Sequence, residues 1–256
     1  MPLILVTNDD GISSQGIKTL SIALKTVGEV YIVAPETEQS AVSHALTLHR
    51  PLRHHEIEHN SLYVNGTPTD CVVLAVNKLL PQRPDIIISG INHGGNLGDD
   101  ITYSGTVAAA MEGTILGIPS MAVSLVTDYT DNGDYQKSSS RFMAAAEYAA
   151  ELSKKILEKG LPKDTLLNIN VPDTEKINGV KFTKQGKLAY DGAIREISDP
   201  RGRTCYWIGG GIPQWEAGEK TDLEAVRNGY ISITPVHLDL TNYEAMKYLE
   251  EKWDIR

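Results

Sequence analysis

The first 35 residues alternate between short apolar runs and one amphipathic stretch. Residues 3–7, LILVT, are almost wholly apolar and are followed at once by the polar residues 8–11, NDDG. This is typical of a buried parallel strand that ends in a turn. Apolar residues then recur at helical spacing over 13–27, and VYIVA at 30–34 has strand character again. The pattern predicts a strand, a helix and a second strand, which together form one βαβ unit.

The same alternation continues as far as residue 172. Thr67 followed by Pro68 is typical of a helix N-cap and first-turn proline. Strands that alternate with helices of this length predict an α/β fold, with a Rossmann-like, open, mostly parallel sheet and helices on both faces. The further helices are expected over 67–80, 105–117 and 140–159, and the further strands over 85–89, 120–125 and 166–171.

The character of the chain changes after Pro172, where glycines and short strand-like pieces replace the regular alternation. We therefore divide the chain into a Rossmann-like core, 1–172, and a C-terminal hairpin and helix region, 173–256. A final helix is expected from Thr241, as its cap, to Lys252. It carries an apolar stripe that must be buried somewhere. The predicted elements of this region are strands at 180–184, 204–208 and 230–236 and helices at 222–227 and 241–252.

Composition and charge narrow the possible partners. The 256 residues are 41% hydrophobic and 22% charged, which favours a compact globular protein. A net charge of -9 provides no general attraction for nucleic acid or anionic lipid, so neither a stable nucleic-acid partner nor a membrane is expected. Two cysteines, no basic leader and no apolar stretch of membrane-spanning length lead us to expect a cytoplasmic location.

Adjacent carboxylates follow the first strand, at the edge where open parallel sheets bind ligands. Asp9 and Asp10 repel each other unless a cation lies near them, and oxygen ligands favour Mg²⁺ or Mn²⁺. The sequence therefore indicates a metal site. The tetrapeptide NDDG at 8–11 is also typical of a simple turn, and that alternative stays open.

A long loop rich in glycine and asparagine follows the strand at 85–89 and leads to the helix expected at 105–117. Ser104, Gly105 and Thr106 would place unpaired N–H groups and hydroxyls at that helix start, an arrangement that favours a bound phosphate. The alternative is that Ser104 is only an N-cap and the glycines only form the loop.

Other ligand classes find less support. Acids occupy the place where a dinucleotide-binding glycine motif would begin, and no phosphate-binding loop of the Walker type occurs. Five of the seven histidines lie between His44 and His59, but their spacing favours extended, exposed segments over a zinc site.

Several segments closely resemble the SurE family, the survival protein E nucleotidases. The resemblance covers nearly the whole chain. It is carried by ILVTNDDGI at 4–12, VAPETEQSAVSHALT at 33–47, VNGTPTDCV at 64–72, PDIIISGINHGGNLGDDITYSGTVAAAMEG at 84–113 and ISITPVHLDLT at 231–241.

The resemblance implies a metal-dependent phosphatase that hydrolyses nucleoside 5′- and 3′-monophosphates, with short polyphosphate as a further substrate of some members. It implies one Mg²⁺ or Mn²⁺ per subunit, and a homodimer or homotetramer assembled through C-terminal hairpins and an exchanged terminal helix. Residues 1–172 would then be the nucleotidase core. The implied metal ligands are Asp9, Asp10, Ser40 and Asn96, and the implied phosphate-binding or active-site residues are Asn92, Ser104, Gly105 and Thr106.

The mechanism that we expect has a metal-bound water attack phosphorus, with Asp9, Asp10 and Asn92 as the catalytic residues. A second possibility is that Asp9 is a nucleophile that forms a phosphoaspartate. A third, from a different functional class, is a non-catalytic module that senses a metal-nucleotide.

Overall fold

The computed structural model describes residues 1–127, 135–190, 194–208, 213–216 and 218–254. The helices are α1 Gln15–Leu24, α2 Pro68–Leu74, α3 Gly105–Ile115, α4 Tyr135–Lys159, α5 Asp222–Arg227 and α6 Tyr243–Lys252. The strands are β1 Leu3–Thr7, β2 Glu29–Pro35, β3 His54–Glu58, β4 Ser61–Val64, β5 Ile86–His93, β6 Ser120–Val126, β7 Thr165–Pro172, β8 Val180–Phe182, β9 Leu188–Tyr190, β10 Ile194–Ser198, β11 Thr204–Ile208, β12 Pro213–Trp215 and β13 Ile231–His237.

Nine strands form one sheet in the order β3-β4-β2-β1-β5-β6-β7-β13-β8. The six strands from β4 to β7 in this order run parallel. β3 is antiparallel to β4, and β13 is antiparallel to β7. β10 pairs with β11, and β9 pairs with β12, in two small separate sheets. The predicted α/β class with a mostly parallel sheet is confirmed.

Helices cover both faces of the sheet. On one face Ile17 and Leu20 of α1 and the alanines of α4 pack against strand residues such as Ile88. On the other face α2 and α3 bury Val72 and Ala109. Each fully buried valine, leucine or isoleucine side chain contributes roughly 1.5–3 kcal/mol to stability. This packing fixes the strands, and the C-terminal ends of β2, β1 and β5 lie side by side at one edge of the sheet.

Several predicted bounds are wrong by a few residues. The helix expected at 67–80 divides into α2 and a π-helical turn, Ala75–Leu79. α4 begins before residue 140, and β5 continues past residue 89. Thr241 does not cap α6. Asn242 does so, because its side-chain oxygen accepts a hydrogen bond from the Ala245 N–H at 2.9 Å.

Two strands from beyond residue 172 lie in the large sheet, β13 beside β7 and β8 beside β13. The division of the chain at that residue stays a prediction. Among the described helices, none has both the length and the apolar character that crossing a bilayer requires. The cytoplasmic location also stays a prediction.

Candidate metal and phosphate site

The turn after β1 is held by the side chain of Asn8. Its amide nitrogen donates to the Gly11 carbonyl at 3.0 Å and to the Ser14 hydroxyl at 2.8 Å. Gly11 has a φ of 90°, a left-handed conformation that suits glycine. These contacts fix Asp9 and Asp10 at the sheet edge.

Asp9 is buried against the first turn of α3. Its carboxylate accepts a hydrogen bond from the Thr106 N–H at 3.0 Å and another from the Thr106 hydroxyl. A Cβ at Gly105 would lie 2.9 Å from the Asp9 Cβ, so only glycine allows this approach. Burial raises the pKa of Asp9 above its ordinary value, although the hydrogen bonds from Thr106 act in the opposite direction.

Asp10 is next to this carboxylate and accepts a hydrogen bond from the His93 N–H at 3.2 Å. Burial, together with the negative charges of Asp9 and Glu38, raises the pKa of Asp10 to about 7. Glu38 also raises the pKa of Asp9. Within the described part of the chain, no lysine or arginine forms an ion pair with these three carboxylates. Among the described residues, therefore, no such ion pair offsets their repulsion.

The segment that carries Ser40 lies beside the aspartates. The Gln39 N–H donates to the Asp9 carbonyl at 2.7 Å. Ser40 is exposed, and its hydroxyl donates to the Glu38 carboxylate at 2.5 Å. The lone pairs of that hydroxyl stay available to a ligand.

Asn96 lies in the loop after β5. Its side-chain nitrogen donates to the Ser124 hydroxyl at 2.7 Å. No donor from the described residues bonds to the Asn96 side-chain oxygen, so an oxygen ligand is available there. The backbone N–H and carbonyl of Asn96 are held by the side chains of Asn168 and Asn170 on β7.

The residues predicted to bind phosphate form a different set of contacts. The Ser104 hydroxyl accepts a hydrogen bond from the Val107 N–H at 3.1 Å, so Ser104 is an N-cap. The Thr106 N–H is bonded to Asp9, and the Asn92 side chain donates to the Gly94 carbonyl at 2.8 Å. Two N–H groups of the first turn of α3 are therefore used within the protein. A phosphate-binding role for these residues stays a prediction.

The donor set fits a hard divalent cation. No group of three or more His, Cys, Asp or Glu side chains in the described residues is arranged to hold a metal ion. A metal at Asp9 and Asp10 would therefore complete its coordination with hydroxyl, amide and water oxygens. Mg²⁺ and Mn²⁺ accept such ligands, and the clustered carboxylates provide the negative charge.

Sequence reasoning missed four residues of this region: Glu38, Ser124, Asn168 and Asn170. The two asparagines had a usable signal, since they are two residues apart in the otherwise apolar strand LLNINV and so lie on one face. Glu38 had none, because an acid in the loop PETEQS is indistinguishable from an ordinary solvated residue.

Comparison with known proteins gives the family of the chain. A sequence profile described as "Survival protein SurE" matches residues 4–192. The chain belongs to the SurE family. This membership confirms the resemblance on which the candidate ligand set rests, while the ligands themselves stay a prediction.

The similar SurE proteins align over almost the whole chain. "5'-nucleotidase SurE" of Geobacter sulfurreducens is 54% identical over 254 residues, which cover 98% of this chain and 94% of that protein. The protein of the same name from Geobacter metallireducens is 54% identical over 253 residues, with 98% and 97% covered. The "Crystal Structure of Sure Protein from Aquifex aeolicus" has a TM-score of 0.83 and 46% identity, and covers 98% of this chain and 99% of that one.

Proposed function

We propose that the chain is a divalent-metal-dependent phosphatase that hydrolyses nucleoside 5′- and 3′-monophosphates, and that short polyphosphate is a further substrate. The observation that carries the proposal is the pair Asp9 and Asp10. Asp9 is buried and Asp10 is partly buried, and the two lie side by side at the sheet edge without a lysine or arginine partner among the described residues. Relatives about half identical to this chain are named as 5'-nucleotidases, which supports the reaction class.

One Mg²⁺ or Mn²⁺ per subunit would be held by Asp9, Asp10, Ser40 and Asn96. When bound, such a cation polarises a phosphoryl oxygen and acidifies a water molecule. Thr106 orients Asp9 through two hydrogen bonds, which keeps the carboxylate in place during the reaction. Fixed groups of this kind contribute to catalysis because they need no reorganisation at the transition state.

The phosphoryl group would lie beside the aspartates, near the start of α3. Ser104 and Gly105 lie at that helix start, which favours a negative charge, and Asn92 precedes His93, whose N–H donates to Asp10. In this proposal these residues bind and orient the phosphoryl oxygens, whereas Thr106, whose N–H and hydroxyl both donate to Asp9, acts through that carboxylate. Reactions of this type depend mainly on positioning and electrostatic stabilisation.

The test is a phosphate-release panel in which nucleoside 5′- and 3′-monophosphates and short polyphosphates are each combined with Mg²⁺ and Mn²⁺. Release that requires the metal supports the proposal. If nucleotide and metal bind without any phosphate release, the chain is a sensing module instead. Phosphate trapped on Asp9 would indicate a phosphoaspartate. Its absence, together with transfer of ¹⁸O from water into phosphate in a single turnover, would indicate direct attack by water.

We also propose a homodimer or homotetramer, assembled through the β10–β11 hairpin and α6. No residue of α6 is buried, although the helix carries Tyr243 and Met246 and is followed by the exposed Trp253. On the hairpin Trp207 is 66% exposed and Ile208 is 87% exposed. Aromatic and aliphatic surface of this extent is typical of a contact between subunits.

A further inference from the structure

A row of polar side chains crosses the sheet near the candidate site. Asn92 on β5 is in register with Ser124 on β6, Ser124 with Asn170 on β7, and Asn170 with Ser232 on β13. Ser124, Asn170 and Ser232 are completely buried. Buried polar groups need hydrogen-bond partners, so we expect each buried side chain of this row to form hydrogen bonds with particular neighbouring groups.

Asn170 binds the backbone of one particular residue, Asn96. Its side-chain oxygen accepts the Asn96 N–H at 2.9 Å, and its side-chain nitrogen donates to the Asn96 carbonyl at 3.0 Å. The Asn168 side chain donates to the same carbonyl at 2.8 Å. Both backbone groups of Asn96 are therefore held by β7.

The chemistry of the backbone settles how the Asn170 amide is oriented. A backbone N–H only donates and a carbonyl only accepts, so the oxygen must face the first group and the nitrogen the second. The amide thus forms the two hydrogen bonds that a neighbouring strand would otherwise form with Asn96. An aspartate of the same size lacks the donor, and an alanine lacks both groups.

The same residue, Asn96, has its side chain fixed from the other direction by Ser124, which leaves the side-chain oxygen open. A loop residue held at its N–H, its carbonyl and its side-chain nitrogen has little rotational freedom. The open oxygen therefore has a fixed direction before any ligand arrives, which lowers the entropic cost of binding.

We propose that Asn170, assisted by Asn168, is a positioning residue that fixes Asn96 as a metal ligand. This inference rests on the proposed function. Neither asparagine touches the metal or the substrate; each acts through Asn96. Residues that orient metal ligands in this way change metal affinity by about 10- to 100-fold when they are substituted.

The experiment measures Mn²⁺ binding by calorimetry, together with thermal unfolding, for the full chain and the Asn170→Ala, Asn170→Asp and Asn168→Ala variants. We expect Mn²⁺ affinity to fall about 10- to 100-fold in both Asn170 variants, and less in Asn168→Ala, which removes one of the two donors to the Asn96 carbonyl. Calorimetry reports on binding without relying on turnover, so a purely structural role would leave it unchanged.

Thr183→Val is the matched control. The Thr183 hydroxyl is buried and bonded to Ser232 and Thr234, at the far end of the same polar row and without contact to Asn96. This variant should lose thermal stability and keep its Mn²⁺ affinity. The contrast separates a general loss of buried hydrogen bonds from a specific effect on the ligand.

The outcomes are distinct. A parent protein that does not bind Mn²⁺ overturns the proposed function and this inference with it. A parent protein that binds Mn²⁺, with unchanged affinity in every folded variant of Asn170 and Asn168, overturns the inference alone. If Asn170→Ala does not fold, the Asn168→Ala and Asn170→Asp variants decide between these results.

Discussion

The strand-end site differs from the C-terminal arms, which we define as the β10–β11 hairpin and α6, in which side chains are buried and which are exposed. At the site, polar groups are buried and bonded to each other, as Asp9 is to Thr106. In the arms, large side chains such as Trp207 and Tyr243 are mostly exposed. One region is closed within a single chain, whereas the other has an uncovered apolar surface.

This contrast indicates that the proposed catalytic site and the proposed subunit contacts can be changed independently. The contacts that fix the candidate ligands come from β1, β5, β6, β7 and α3. None of the hydrogen bonds described for these ligands involves an arm residue. Substitutions at the strand ends should therefore change binding and turnover, and changes in the arms should alter assembly.

The largest effect is expected when the paired carboxylates are removed. Asp9→Asn and Asp10→Asn should each lower phosphate release at least ~100-fold, because a bound metal contributes several kcal/mol to transition-state stabilisation. Circular dichroism should show an unchanged fold. Asp164→Asn, at the opposite edge of the sheet before β7, is the control and should keep normal activity. Near-normal turnover of both site variants at saturating metal would exclude this assignment.

The second prediction concerns the arms. Deletion of residues 241–256 should reduce the oligomer mass measured by light scattering, because it removes the exposed stripe formed by Tyr243, Met246 and Trp253. Calorimetric Mn²⁺ binding should remain. A truncated chain that keeps the full-length mass would show that α6 is not a subunit contact. A matched variant, Lys247→Ala on the same helix, should leave the mass unchanged.

The third prediction separates two neighbouring residues at the start of α3. Thr106→Val removes the hydroxyl that donates to Asp9, so Mn²⁺ affinity should fall about tenfold. Ser104→Ala removes the N-cap, which costs about 1 kcal/mol of stability, and should weaken phosphate inhibition with little change in Mn²⁺ affinity. Metal titrations and phosphate inhibition constants of both variants test this division. Equal effects of the two substitutions on Mn²⁺ affinity would contradict it.

The fold was largely predictable because its signals are local. The apolar run LILVT, the pair Thr67-Pro68 and the recurring helical spacings each indicate one element, and chain order then favours a parallel sheet. The cap of α6 was misplaced by one residue because Thr241 and Asn242 are both good caps and only geometry distinguishes them.

The site was predictable only in part. Asp9 and Asp10 are adjacent in the sequence, so their repulsion is visible without a structure. The contact between Asp9 and Thr106 joins residues 97 positions apart, and that between Asn96 and Asn170 joins residues 74 positions apart. Contacts of this range depend on which strands are neighbours, and single-chain patterns do not encode that order.

The smallest effect is expected on thermal stability, when the charge of Asp10 is removed in metal-free protein. Asp10 has a pKa of about 7 in the fold, against an ordinary value of 3.8. Between about pH 4 and about pH 7, the folded state therefore holds a proton that the unfolded chain has released. The stability that this proton provides is lost as pH rises through that range. Asp10→Asn has no such loss.

Without metal, we expect this variant to melt a few degrees above the parent at pH 8, with a smaller difference at pH 5. Calorimetric scans with a chelator measure this difference. Added Mn²⁺ should stabilise the parent more than the variant, because only the parent keeps both anionic ligands. If metal-free Asp10→Asn melted below the parent at pH 8, burial of the Asp10 charge and its repulsion by Asp9 and Glu38 would not be the dominant cost at this sheet edge.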